Sequence, residues 1–589
     1  MRRLRTLAPG LLGLGLAAAV LWRGGEALER SAEGQESFAV LVDEPAQVVE
    51  IPAPASLAQA PGPARSWRAR VRPVSELERV ELSVDGAPVE ARRDVETGAL
   101  EAPLDAIARA PGWHFVEVLI ERRGGRRERV VDPILVGRFA GPGQAPEHKP
   151  CSASFTASPT LVRSLLVPIL EREVLPALRQ NGHMGPDTQI TKAELELRDD
   201  VVRFELVIEG VNTLAVSGVV AVAIVDEREL YAELVTLGEV DFRGELRNQA
   251  RGIGAGGGAV VGGLISGPLA PVGAAAGFYL ADKLVTKKAR EVVRAQIDAG
   301  LEQLTGVELL PRHIELVRGQ PRSRVSLGFC EQTGVRASGL VAGLWIEPAP
   351  PDSTSQGAPR FDLGVPGPLD TAATPTIEPL GEGEDLRVEL SIDVVNALLT
   401  QWTQSGLLSE LIGERRALER ANAELEAWTP LRLRGLVPTR PPTLTPVGGP
   451  AAGWAYGIGG LAVELEGVDE QPWGEVLVSA AGSVSPSWNP DSGELSLVGS
   501  LDRLELTCAQ GEPGETRVLQ GCFSEVLEAA EVRERIDAHL RPGARNLPTL
   551  ALRELLDEEL GVQLDELAMS RPRPGVLRLS ASARGSDRG

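Results

Sequence analysis

This chain of 589 residues holds only five His, four Cys and 4% aromatic side chains. So small a stock of imidazole and thiol leaves little material for metal centres or imidazole catalysis. Lysine is equally scarce: counting gives 5 Lys against 55 Arg, which reads as genomic G+C content and not as arginine chemistry. The 60 basic side chains are outnumbered by 82 acidic ones, for a net charge of −22. Nucleic-acid binding rewards clustered Lys and Arg that release counterions, so nucleic acid is not an expected partner. No Walker loop, dinucleotide fingerprint, nucleophile elbow or zincin helix survives its context. "GIGAGGG" from Gly252 follows polar "GELRNQAR" and lacks a G-K-[ST] ending. His114, His148, His183, His313 and His539 sit in unrelated contexts. The chain is read as non-enzymatic, with no metal and no cofactor.

What is present is globular: 43% apolar and 24% charged residues, enough to bury cores in several domains at about one per 150 residues. Arg2, Arg3 and Arg5 precede an apolar run of 16 residues, Leu7 to Trp22. That is short of the roughly 20 residues a helical span needs, so residues 1–30 read as an export signal, with an uncleaved anchor as the alternative. Export to the periplasm, outer envelope or medium makes disulfides readable. Cys508 and Cys522 flank a short polar loop and are expected to pair, leaving Cys151 with Cys330; four buried thiols are the alternative.

Residues 36–140 alternate as strands, with turns at Asp85-Gly86 and Gly124-Gly125. The segment Ala110–Phe139 resembles the closing hairpin of an immunoglobulin-like sandwich, which implies a β-domain able to take a protein partner. Downstream the chain repeats itself. Ser158–Leu178 aligns without a gap on Ser391–Leu411, placing Leu161, Val162, Leu165, Leu166 and Ile169 on Val394, Val395, Leu398, Leu399 and Trp402, one helical face. "VRAQIDAGL" from Val293 matches "VRERIDAHL" from Val532, and the two offsets, 233 and 239 residues, nearly agree. Strands lie between the matched helices. The first half turns at Asp199-Asp200 and keeps Leu214, Val216, Val220, Val222 and Ile224 on one parity; the second carries Leu461, Val463 and Leu465, then Val476, Val478 and Ala480. Each half therefore reads helix, antiparallel strands, helix, strand: 146–350, a Pro-rich linker 351–384, and 385–585.

This order, with "LRVELSIDVVNALLTQWTQSGLL" from Leu386, "PPTLTP" from Pro441 and "NLPTL" from Asn546, resembles the tubular lipid-binding (TULIP) superfamily, which includes the bactericidal/permeability-increasing proteins. The resemblance spans residues 150–585. It implies an α+β fold of two elongated, helix-wrapped antiparallel sheets, here preceded by a small β-sandwich. It also implies lipid binding or transfer, with acyl chains in apolar pockets. Leu165, Leu166, Ile169, Leu398, Leu399 and Trp402 are the candidate lining residues, with ordinary core packing as the alternative.

Residues 252–281 carry no charge and ten Gly. Gly254, Gly258 and Gly262 are spaced as in packed membrane helices, and Pro268 and Pro271 break the run. A re-entrant wedge touching membrane through these glycines with Leu264, Ile265 and Phe278 is one reading; a helical hairpin packed on the protein, or a loop, is the other. A structural or adhesive envelope protein is the alternative function.

Overall fold

The computed structural model describes residues 39–42, 48–50, 66–103, 111–139, 151–163, 187–244, 290–298, 307–348, 368–423, 431–510, 517–520, 550–551 and 564–583, with short gaps inside several of these spans. Within them the chain is mostly antiparallel β-sheet with few helices, arranged as four sheets of 11, 8, 5 and 6 strands, none closed. The turns expected at Asp85-Gly86, Gly124-Gly125 and Asp199-Asp200 connect strands as read, and Pro472–Asn489 pairs with Glu494–Gln510.

The eight-stranded sheet lies at the centre of the topology. Six of its strands run Arg324–Phe329, Gly339–Pro348, Ala153–Ala157, Leu386–Ser391, Val576–Ala583, Leu564–Arg573. The opening strands of the two halves are thus neighbours, each flanked by the closing strand of its own half. Their antiparallel register pairs Phe155 with Val388, the two residues that the 233-residue alignment makes equivalent. Two hydrogen bonds repeat the relation. Ser158 N–H donates to Asp385 O at 2.7 Å, and Ser391 N–H to Ser152 O at 2.9 Å; each bond maps on the other under the same offset. Both serines then begin helices, Ser158 Oγ accepting from Leu161 N at 3.1 Å and Ser391 Oγ from Asp393 N at 3.1 Å.

Cys151 and Cys330 form the expected disulfide, with Cα atoms 6.0 Å apart and the two cysteines 179 positions apart in sequence. It clasps the end of Arg324–Phe329 to the residues leading into Ala153–Ala157. Cys508 is disulfide-bonded as well; its expected partner Cys522 lies outside the described residues.

The five-stranded sheet belongs to the first half: Gln189–Arg198, Val201–Glu209, Asn212–Val225, Glu229–Gly244 and Val307–Glu308, in sequence order. Two of its turns seat on the central sheet. Asp200 N–H donates to Val335 O at 2.9 Å, and Phe329 N–H to Glu227 O at 2.6 Å. Trp345 Nε1 donates to Glu227 Oε2 at 2.9 Å, its ring fitting over Gly328, where a Cβ would come within 2.3 Å.

The eleven-stranded sheet spans both ends of the chain. Leu431–Pro438, Trp454–Gly467, Pro472–Asn489, Glu494–Gln510 and Arg517–Gln520 continue through Ala39–Val42 into Ser66–Arg72, Ala99–Pro103 and Arg92–Arg93. The six-stranded sheet carries Gly112–Arg122 and Arg127–Phe139, which are buried on both sides. Even-numbered Val116, Val118, Ile120, Val130, Ile134 and Val136 face Trp67, Val71, Leu100 and Ala102 in one core, and Trp67 Nε1 donates to Asp132 Oδ2 at 2.9 Å. That core also takes in Ala462, Leu477 and Leu519 from the second half. The domain boundaries read from the sequence remain a proposal; the core itself runs across them.

Candidate apolar binding faces

The five-stranded sheet is apolar on one side only. Its registers align Ile190 with Ile208 and Leu214, Leu195 with Phe204 and Gly218, and Leu197 with Val202, Val220 and Leu234. Because strand side chains alternate, these rows share a face, while exposed Glu194, Glu196, Arg203, Glu205 and Glu233 occupy the other. At one end this face meets Leu161, Val162 and the central sheet. Further along, Ile208, Leu214, Val216, Leu234, Leu237 and Val240 are buried, with Ile190, Phe204, Leu206, Val220 and Ile297 only partly so. Ile297 is one of the helical residues described at 290, 291, 294, 297 and 298, and Arg290 Nη2 among them donates to Leu237 O at 2.6 Å. Gly218 has a specific use: a Cβ there would lie 2.7 Å from Phe204 Cζ, so glycine lets the ring lie flat along the sheet.

In the second half the matching parity is also apolar. Leu433, Leu436, Leu461, Val463, Leu465, Val476, Val478 and Ala480 are buried on it; Leu504 and Leu506, paired with Ala480 and Val478, are partly buried.

Helix α1, Ile392–Gln404, is followed after Gly406 by α2, Leu407–Ile412. Of the six candidate lining residues, the structure brings Leu398, Leu399 and Trp402 together with Val395 on one stripe of α1, all half-buried. The fully buried sides of α1 are largely polar. Asn396 donates to Leu444 O at 2.9 Å and accepts from Leu444 N at 2.8 Å, while Thr400 and Thr403 bond back to carbonyls four residues earlier. Leu165, Leu166 and Ile169 lie outside the described residues, as do all the candidate membrane residues, Gly254, Gly258, Gly262, Leu264, Ile265 and Phe278. No helix among the described residues is long and apolar enough to cross a membrane. Phe204, Leu206 and Ile208 belong to the hairpin read at Asp199-Asp200 but were not among the candidate lining residues, although their alternation in "VVRFELVIE" was available.

Polar chemistry gathers elsewhere, on the outer side of the second half. Arg129 makes two bonds to Glu505, 2.7 and 2.9 Å, and an ion pair with Glu117 at 3.1 Å. Arg503 bonds Glu505 at 2.7 Å, pairs with Glu117 and with Asp85, and lies 4.7 Å over the Phe115 ring. Burial works against the Arg129 charge, yet Glu505 and Glu117 hold its pKa above the ordinary value. Burial likewise pushes Asp85 up, but bonds from His114 and Phe115 N–H, with the Arg503 charge, hold it below the usual carboxylate value. At α1 the balance reverses, and burial leaves Asp393 raised despite bonds from Thr371 and Ala373. Among the described residues no three His, Cys, Asp or Glu side chains are grouped to share a metal ion.

No family model matches the chain, and no curated protein matches it. Among solved structures it is similar to lipopolysaccharide binding protein, at 12% identity and a TM-score of 0.27, covering 74% of this chain and 99% of that one. It is also similar to P47 of Clostridium botulinum E1, at 7% identity and a TM-score of 0.25, covering 74% and 100%. Likenesses this distant carry no argument about function.

Proposed function

We propose that this is an exported, non-enzymatic lipid-binding or lipid-transfer protein that shelters acyl chains against the inner faces of two repeated halves. The observation that carries the reading is the one-sided apolar face of the first-half sheet, where Ile190, Phe204, Leu206 and Val220 stay partly exposed beside a buried cluster. Each acyl methylene moved from water onto such a face gains about 0.8 kcal/mol, with no polar motif required. The Phe155–Val388 register supports the duplication, and hence the division into 146–350 and 385–585. The Cys151–Cys330 disulfide supports an oxidising compartment, since reducing cytosol keeps thiols apart. Membrane contact through 252–281 is a separate proposal, tested by liposome flotation with and without that segment; unchanged flotation removes it.

Native mass spectrometry and lipid extraction of the purified full chain test the main reading. A co-purifying phospholipid or fatty acid is expected, and Phe204→Asp or Leu206→Asp lowers its retention several-fold. If no acyl ligand co-purifies and none exchanges from vesicles, the reading is wrong.

A further inference from the structure

The outer faces of the two halves differ. On the first-half sheet the outer face is exposed; Val235, for instance, retains 53% of its accessible surface. On the second half the corresponding side is covered by the chain's own N-terminal β-domain. Odd-numbered Trp113, Phe115, Glu117, Arg129 and Val131 share one face of the six-stranded sheet. That face meets a complementary set of small and charged residues. A Cβ at Gly457 or Gly459 would come within 2.3 or 2.2 Å of the Trp113 ring, so only glycine admits it. Arg440, 2% exposed, donates to Pro133 O at 2.6 Å, its guanidinium 5.7 Å from the same ring. Thr507 Oγ1 donates to Val131 O at 3.1 Å. Arg129, Glu117, Arg503 and Glu505 then lock the centre in a continuous run of ion pairs.

We infer that the partner of the N-terminal β-domain is the second half itself, which it braces, leaving the first half as the one whose sheet opens to admit and release ligand. A sheet packed on both sides at interior density cannot change its curvature without displacing both layers. The second-half sheet has a layer to displace, made of aromatic packing, half-buried ion pairs and strand pairing through Ala39–Val42. The outer face of the first-half sheet meets solvent and can bend freely. The brace stands on the contacts alone; the ligand clause rests on the lipid reading above.

Hydrogen–deuterium exchange on the ligand-free full chain tests the brace, because exchange follows local opening. Amides of 454–467 and 472–489 are expected to exchange at least about tenfold more slowly than those of 201–209 and 212–225. Glu505→Ala raises exchange in 454–489 and leaves 201–225 unchanged. Should Glu505→Ala fail to fold, the milder Thr507→Val decides, through a smaller rise confined to the same strands. Equal exchange in the two sheets, or a folded variant that leaves 454–489 unmoved, overturns the brace. Dioleoyl phosphatidylcholine vesicles supply the second arm. Protection rising in 201–225 and not in 454–489 supports the division; a change in both, or in the second half alone, overturns it. If no phosphatidylcholine is retained and nothing changes, the lipid reading and the ligand clause fall together, while the ligand-free comparison still decides the brace.

Discussion

At Asp85 desolvation and hydrogen bonding oppose each other, and hydrogen bonding wins. Its pKa is held below the ordinary carboxylate value, so ionised Asp85 stabilises the fold at neutral pH, and that contribution is lost as pH falls through its folded-state pKa. Asp85→Asn keeps an acceptor for Phe115 N–H and loses the charge beside Arg503 and His114. With the carboxylate side chain 43% exposed, solvent screening limits the loss to about 1 kcal/mol or less. In chemical denaturation the wild type is expected to lead Asp85→Asn slightly at pH 7, and the gap to close below about pH 4. A gap that persists there would assign the effect to packing. Gly459 makes the steric counterpart. A methyl group there enters the Trp113 ring, and because backbone and indole are both held, Gly459→Ala is expected to cost about 1–3 kcal/mol in the same assay.

At the scale of the element, α1 shows what pattern alone leaves out. Its start at Ser391 was legible, since a Ser before an apolar periodic run offers the cap that the first turn lacks. The stripe Val394, Val395, Leu398, Leu399 and Trp402 was legible too, as a candidate lining face with core packing as its alternative. Beside Ile392 and Val394 the structure buries Asn396, Thr400 and Thr403, because each finds a backbone partner that no spacing announces. Asn396 acts as a one-residue extension of the strand Thr443–Pro446, meeting both backbone groups of Leu444. Asn396→Ala leaves that donor and acceptor without it, and is expected to cost at least about 2 kcal/mol, read as a lowered urea midpoint. If stability is unchanged, water has replaced the amide and the element tolerates its loss. The strand alternation in both halves and most tight turns were equally readable, because parity and the Asp-Gly or Gly-Gly steps are local signals. The double burial of Gly112–Arg122 and Arg127–Phe139 was not. Glu117 and Arg129 on one parity look like a solvated face, and Glu505, which takes two further bonds from Arg129, lies 376 positions away in sequence.

For the whole molecule, the pairing of Phe155 with Val388 sets the strands that open residues 146–350 and 385–585 side by side, yet the two stretches are secured differently. The second is held from outside by the N-terminal β-domain, the first from within by the Cys151–Cys330 disulfide. With the cysteines 179 positions apart in sequence, closing so long a loop removes much of the unfolded chain's freedom, up to about 5 kcal/mol in the chain-entropy account and less where the unfolded state keeps structure. Such a constraint acts on the unfolded chain and makes no demand on the curvature of Gln189–Gly244, which suits the opening inferred above. Replacing both cysteines with Ser should therefore lower the stability of the first half by about 3–5 kcal/mol while leaving its ligand-free folded arrangement intact. Exchange mass spectrometry under mild denaturant can read this half by half. Strands 189–244 are expected to open at lower urea than in the wild type, with strands 454–489 following the wild-type curve. Simultaneous loss in both halves would mean that the central sheet couples them more tightly than disulfide or brace separates them, and the two halves would then have to be treated as one cooperative unit.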